Sequence, residues 1–172
     1  MRRAAAVAAA VCLLAPAAAG AGRVGWKETA KVAGARVMSY RVDSLSVRAN
    51  GWSAHVSFTN LSKQTIKVGS QFGVAFYLDP KAEDLTYAVG FAAATKFSTP
   101  TPTALKPGAT WTGVISGSGQ LQMSGRVYAR VVFGPFTGVP GESTAIVWIT
   151  DHKTTVGGTT TTPVPPATGP VI

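Results

Sequence analysis

The side chains in this sequence that could bind a ligand are mainly basic. The 172 residues include 16 Lys and Arg but only 7 Asp and Glu, which gives a formal charge of +9. A patch of such residues would attract an anionic cell-wall polymer, lipid head groups or another envelope protein, weakly and with strong salt dependence. The candidate anion-binding residues are spaced through the N-terminal third of the chain and could gather on one edge: Arg23, Lys27, Lys31, Arg36, Arg41 and Arg48.

A second interpretation of these basic residues is equally good. Lysine on an edge strand discourages pairing between the sheets of different molecules, without any ligand. Nucleic acid is not an expected partner, because the sequence has no dense basic run and no alternation of aromatic and basic residues.

The sequence gives little support for a metal site, whether bound by histidines or by a calcium loop. His55 and His152 are the only histidines, and nothing in their spacing brings them together with a carboxylate such as Asp151. We predict two solvated histidines and no metal. Asp79, Glu83 and Asp84 form the best cluster of oxygen ligands, but their spacing fits no calcium loop and Lys81 lies among them, so we predict a solvated turn.

Motifs for catalysis are absent from the sequence. There is no Gly-x-Ser-x-Gly elbow, no phosphate-binding Gly-rich loop and no His-Glu-x-x-His. We therefore expect a protein that is not an enzyme, with no catalytic residues and no cofactor. Two alternatives stay open: a small secreted hydrolase or enzyme inhibitor that gathers residues from separate loops, and an extracytoplasmic ligand or metal carrier.

Residues 1–21 are typical of a cleaved signal peptide. Arg2 and Arg3 precede an apolar stretch over residues 4–15, and Ala19-Gly20-Ala21 offers a cleavage site. Cleavage would remove the only cysteine, Cys12, and would leave 14 basic and 7 acidic side chains, a formal charge of +7. The expected location is secreted or extracytoplasmic, at the cell envelope, with no transmembrane segment after cleavage. The oligomeric state is not predictable.

The elements that must position the basic residues are short strands. Residues 52–59 alternate apolar and polar side chains as a half-buried antiparallel strand does, directly after the hairpin signal Asn50-Gly51. Residues 72–78 are nearly all apolar, which is typical of a central strand. The pattern predicts eight or nine short strands, including residues 85–89, and an all-β antiparallel sandwich. Trp52, Trp111 and Trp148 are predicted to pack between its sheets.

The predicted organisation has four parts. The signal peptide is followed by a loose lead-in over residues 22–35, in which Lys27 to Lys31 could form one helical turn. The sandwich spans residues 36–152. Residues 153–172 are rich in Thr and Pro and should form an extended, mobile, disordered tail. Asn60-Leu61-Ser62 fits the pattern for N-glycosylation, but Asn at the end of a strand is more simply a turn former.

Three segments carry a family resemblance: Val56-Ser57-Phe58-Thr59-Asn60, Leu105-Lys106-Pro107-Gly108 before a strand, and residues 128–133. Together, over residues 36–150, they resemble the immunoglobulin-like domains of secreted proteins and lipoproteins of bacteria. The layout is similar, more weakly, to small secreted immunogenic proteins of mycobacteria that have an immunoglobulin-like sandwich. The resemblance implies an immunoglobulin-like β-sandwich and an extracytoplasmic location, and it brings no catalytic residues. We therefore expect a secreted, non-enzymatic module that binds or has a structural role at the cell envelope.

Overall fold

The structure is a computed structural model that describes residues 22–121 and 125–157. The predicted signal peptide and residues 158–172 of the predicted tail lie outside the described residues. One 3₁₀ helix covers Leu85–Tyr87. The described residues form twelve strands: β1 (Gly22–Val32), β2 (Ala35–Arg48), β3 (Gly51–Asn60), β4 (Ile66–Val68), β5 (Gly73–Tyr77), β6 (Gly90–Ala93), β7 (Lys96–Phe97), β8 (Ala104–Leu105), β9 (Thr110–Ser118), β10 (Val127–Thr137), β11 (Ile146–Ile149) and β12 (Thr154–Val156).

The strands form two antiparallel sheets that pack face to face, so the predicted all-β sandwich is confirmed. The five-stranded sheet has the order β1-β2-β3-β9-β7. The seven-stranded sheet has the order β6-β5-β10-β4-β8, and β11 and β12 both pair with β10. No helix in residues 22–121 and 125–157 has the length and apolar character needed to span a membrane.

The five-stranded sheet is buried on one face only. Along β3, buried residues alternate with partly exposed ones, as its sequence pattern predicts. The fully buried ring of Phe58 lies between rings of its own sheet and of the opposite sheet, with centroids 5.2 Å from Trp111 and 5.4 Å from Phe136. Trp52 and Trp111 are also buried, and Trp148 packs against the core, as predicted.

The seven-stranded sheet is covered on both faces over its central strands. All five residues of β5 are buried. Its inward side chains belong to the main core, whereas Ala75 and Tyr77 face outward and pack with Ala82, Leu85 and Ala88 from the connection to β6. A strand covered on both faces needs a continuous apolar run, which explains the sequence of residues 72–78. The five-stranded sheet therefore presents the more open outer face of the sandwich.

Several sequence predictions about strands are wrong. The lead-in is not loose: its residues 22–32 form β1, and no helical turn covers Lys27 to Lys31. An acidic residue, Glu28, occupies an inward position and obscures the alternation.

Residues 85–89 do not form a strand, since the Asp84 carboxylate accepts a hydrogen bond from the Thr86 amide and caps the 3₁₀ helix. Residues 154–156, placed in the tail, pair with β10. The strand number therefore exceeds the predicted eight or nine.

Asn60 is a turn former, as the sequence favoured. Its side chain is completely buried at the end of β3. The amide nitrogen donates hydrogen bonds to the carbonyls of Gln64 and Leu105, 2.7 and 2.9 Å away, and the amide oxygen accepts from the backbone and hydroxyl of Ser62. The contacts with Gln64 and Ser62 hold the turn after β3, and the contact with Leu105 ties that turn to β8.

Candidate anion-binding face

The outer face of the five-stranded sheet is polar. Small hydroxyl side chains occupy cross-strand rows at its centre, such as Ser57 on β3 opposite Thr112 on β9, and Thr59 opposite Thr110. The hydroxyls of Thr59 and Thr110 lie 2.8 Å apart and share a hydrogen bond. Val114 is the one large apolar side chain on this face that is substantially exposed among the described residues. The centre of this face therefore offers hydroxyl groups that can form hydrogen bonds.

All six predicted anion-binding residues lie on the hairpin of β1 and β2 at one side of this sheet. The outward side chains that form what we call the basic face are Arg23, Lys27 and Lys31 on β1, with Arg36, Arg41 and Arg48 on β2. Lys27 lies directly opposite Arg41, and Lys31 lies directly opposite Arg36. Facing cross-strand residues have Cβ atoms about 5 Å apart, and like charges at that distance oppose folding.

Acidic side chains are nearly excluded from this side of the molecule. β3, β7 and β9 carry no Asp or Glu. Of the two acids in β1 and β2, Glu28 is buried toward the core and only Asp43 faces outward. The other five acids of the chain lie in loops that belong to the opposite sheet or its ends: Asp79, Glu83, Asp84, Glu142 and Asp151. The basic face therefore keeps most of its charge.

Edge protection explains only part of this charge. β1 is the outermost strand of the five-stranded sheet, so Lys27 and Lys31 could serve to block pairing with another molecule. β2, however, is hydrogen-bonded on both sides, to β1 and to β3. Arg36, Arg41 and Arg48 therefore do not guard a free edge. The three arginines on this interior strand therefore favour an anion-binding surface over edge protection.

A groove crosses the basic face where two bulges lie side by side. The pairing of β1 with β2 shifts between Arg23 and Trp26, and the pairing of β2 with β3 shifts between Val42 and Ser44. Bulges bend a strand and redirect its side chains. The resulting groove has a volume of about 690 Å³ and is lined by Arg23, Val24, Gly25, Arg41, Asp43, Ser44 and His55.

Asp43 holds two of the groove side chains in place. One carboxylate oxygen accepts a hydrogen bond from Nε of Arg41, and the other lies 3.0 Å from Nδ1 of His55. The hydrogen bond from Arg41 is the main cause that lowers the pKa of Asp43, with a smaller contribution from His55. Asp43 therefore stays ionised and neutralises Arg41, whereas Arg23 makes no ion pair with any described residue.

Sequence reasoning found the six basic residues but missed Asp43 as their partner and left His55 as a solvated residue. Asp43 and His55 are twelve positions apart and meet because β2 and β3 are adjacent. The alternation of β3 did place His55 on the outer face. A bulge at Asp43 breaks the period of β2, so no sequence pattern indicated that the two side chains would meet.

The second histidine is not simply solvated, which corrects the prediction. The His152 ring stacks on Trp26, with centroids 5.9 Å apart, and Nδ1 lies 2.7 Å from a carboxylate oxygen of Glu28. Glu28 also accepts hydrogen bonds from the Trp148 indole and from the backbone amides of Asp151 and His152. This Glu28 cluster joins β1 to the chain after β11 and so connects the two sheets.

The electrostatic effect of the Glu28 cluster reaches Asp151. Burial raises the pKa of Asp151, and the nearby Glu28 carboxylate raises it further. The folded protein then holds the Asp151 proton more tightly than the unfolded chain does. The free energy of unfolding therefore falls as pH rises from the ordinary pKa of Asp151 through its raised pKa in the folded protein. The arrangement fits a structural joint, because the nearly buried Glu28 carboxylate contacts Trp148 of β11 and the segment that follows β11.

Neither carboxylate–histidine pair is assembled for nucleophilic catalysis. Within residues 22–121 and 125–157, no serine hydroxyl is hydrogen-bonded to His55 or His152. The same residues contain no group of three or more His, Cys, Asp and Glu arranged to hold a metal ion. In the acidic loop, Asp79 and Asp84 accept hydrogen bonds from backbone amides and so cap turns.

The fold and the basic face define a class, an all-β sandwich with one open, cationic sheet surface. No protein-family model and no curated protein sequence matches the chain.

Proposed function

We propose that this protein is a secreted, non-enzymatic, immunoglobulin-like module that binds an anionic polymer of the bacterial cell envelope through its basic face. The extracytoplasmic location depends on the signal peptide predicted from residues 1–21. The immunoglobulin-like assignment depends on the sequence resemblance. The two packed antiparallel sheets are compatible with it. Binding depends on the basic face.

One observation carries the proposal: six outward basic side chains share one hairpin with a single outward carboxylate, Asp43. Two of the cross-strand pairs are like-charged, Lys27 with Arg41 and Lys31 with Arg36. Folding gains nothing from such pairs, since like charges directly opposite each other destabilise a sheet. A polyanion that lies across the hairpin would relieve this repulsion, and the open, hydroxyl-rich sheet beside it would accept the polymer backbone.

A polymer suits this surface better than a membrane or a protein partner. Insertion into a bilayer needs exposed apolar or aromatic side chains, and on this face only Val114 is both large and substantially exposed among the described residues. Specific protein interfaces contain a buried apolar centre, which the basic face also lacks. The large exposed apolar side chains Leu78, Tyr87, Val89 and Phe91 belong instead to the opposite sheet and the loop that covers it.

Retention of the mature protein on purified bacterial cell wall at low and high salt tests the proposal. We expect binding at about 50 mM NaCl and at least about tenfold weaker binding at about 500 mM, because salt screens charges on an exposed surface. Vesicles with and without anionic lipid form a second arm of the experiment. Stronger retention on the wall than on anionic vesicles supports a polymer ligand.

Matched triple variants separate the basic face from net charge. Lys27→Gln with Lys31→Gln and Arg36→Gln removes three charges from the face. Lys63→Gln with Lys67→Gln and Lys106→Gln removes three exposed charges elsewhere. We expect the first variant to lose most of its retention and the second to keep it. Equal loss in both, or no retention of the wild type at low salt, contradicts the proposal.

A further inference from the structure

The groove between the two bulges differs from the rest of the basic face because side chains from three strands converge there, and two of them are arginines. Arg23 comes from β1, Arg41 from β2 and His55 from β3, and Ser44 adds a hydroxyl. Arginine is the side chain best suited to phosphate, since its planar fork of N–H donors matches two phosphate oxygens at once. Lysines further along the hairpin offer only mobile point charges.

The backbone also opens the groove. Gly25 has a φ of +61°, in the left-handed region that favours glycine, and a Cβ at this position would meet no atom within 4 Å. The bulge in β1 therefore places a residue without a side chain beside Arg23, where a substituent would project into unoccupied space. A ligand can therefore approach the backbone of Gly25 without meeting a side chain.

The charges in the groove do not cancel. Asp43 is paired with Arg41 and lies beside His55, and this pairing fixes the directions of both side chains. Arg23 has no carboxylate within 4 Å among the described residues. The groove therefore keeps at least one positive charge, carried by Arg23, together with donors that are already oriented. Orientation before binding reduces the entropy that a ligand must lose.

We infer that this groove is a subsite for a phosphate group, and that Arg23 is its main ligand. The inference rests on the proposed function in one respect: the phosphate would be one unit of the anionic polymer that lies along the basic face. A tetrahedral phosphate presents oxygens in several directions, which suits the arginine donors that converge from β1 and β2. The volume of about 690 Å³ also leaves room for the polymer unit attached to that phosphate.

The first test uses inorganic phosphate, which needs no polymer. Titration of ¹⁵N-labelled protein should move the amide signals of Gly25, Ser44 and His55 saturably, with much smaller changes along the rest of β1 and β2. A matched titration with chloride at the same ionic strength should not do so. Shifts spread evenly over the whole basic face, or no saturable shift, would overturn the subsite.

The second test uses a synthetic poly(glycerol phosphate) and two variants with the same loss of charge. Arg23→Gln removes the groove ligand, and Lys27→Gln removes a charge from the same strand outside the groove. We expect the dissociation constant to rise about tenfold for Arg23→Gln and about twofold for Lys27→Gln. Arg23→Lys should recover only part of the loss, because an ammonium cannot bind bidentately.

The outcomes distinguish this inference from the function on which it rests. If the protein is retained on the polymer but Arg23→Gln and Lys27→Gln weaken binding equally, the phosphate subsite is wrong and the proposed function stands. If inorganic phosphate binds in the groove but no wall polymer or poly(glycerol phosphate) is retained, the subsite stands and the proposed function is wrong. Unchanged thermal unfolding of both variants would show that each lost binding without losing its fold.

Discussion

Replacing Phe58 with alanine should lower the free energy of unfolding by about 4 kcal/mol, because truncation of a buried phenylalanine removes apolar burial and leaves a cavity. The Phe58 side chain is completely buried. Its ring lies 5.7 Å from the ring of Phe72 and 5.2 Å from that of Trp111, measured between centroids. It also contacts Phe133 and Phe136 of β10 edge-on, so the loss weakens the contact between the two sheets.

Urea unfolding followed by circular dichroism and by tryptophan fluorescence measures this loss. Phe91→Ala is the control, since Phe91 is 48% exposed and should cost less than about 1 kcal/mol. An effect below about 2 kcal/mol for Phe58→Ala would mean that the sheets are held together mainly by contacts other than this aromatic cluster.

Replacing Glu28 with alanine should cost about 3 kcal/mol, an unusually large effect for an acidic residue. Only 5% of the Glu28 side chain is exposed. Its carboxylate accepts hydrogen bonds from the Trp148 indole, 3.1 Å away, and from the amides of Asp151 and His152, 3.0 and 2.9 Å away. Alanine would leave these three part-buried donors without their partner, and a donor that loses its partner in a shielded position costs more than the bond itself contributed.

The same unfolding experiment, with an added spectroscopic signal, tests Glu28. The indole N–H resonance of Trp148 should move in both Glu28→Ala and Glu28→Gln, whereas Glu28→Gln should retain part of the stability because its amide oxygen still accepts hydrogen bonds. Glu83→Ala, at an exposed acid, should change stability by less than about 0.5 kcal/mol. A Glu28→Ala variant as stable as the wild type would show that the two sheets do not need this joint.

Phe58 and Glu28 both belong to the framework that holds the basic face. Phe58 lies on β3, and the outward side chains of the same strand include His55 of the groove. Glu28 lies on β1 between Lys27 and Thr29, so it anchors the edge strand that supplies half of the basic face. Loss of either residue should therefore reduce anion binding indirectly, whereas the groove variants should reduce binding without a loss of stability.

The sequence by itself determined the elements whose burial follows a local period. Alternation along residues 52–59 predicted a strand with one buried face, and the apolar run at residues 72–78 predicted a central strand, which the structure shows covered on both faces. Each of these patterns is set by neighbours along a single strand, because side chains on a strand point to opposite faces in turn. Composition likewise showed an excess of positive charge, 16 basic against 7 acidic side chains, but only the pairing of β1 with β2 placed six of the basic residues on one hairpin.

Tertiary structure alone decided which side chains meet. The two bulges that form the groove arise where one strand has more residues than its partner between two paired positions. They bring Arg23, Asp43 and His55 together from three strands. Glu28 finds its donors about 120 positions away, and its inward carboxylate broke the alternation that would have revealed β1. Register shifts and contacts between sheets depend on pairing partners distant in the chain, so no local period records them.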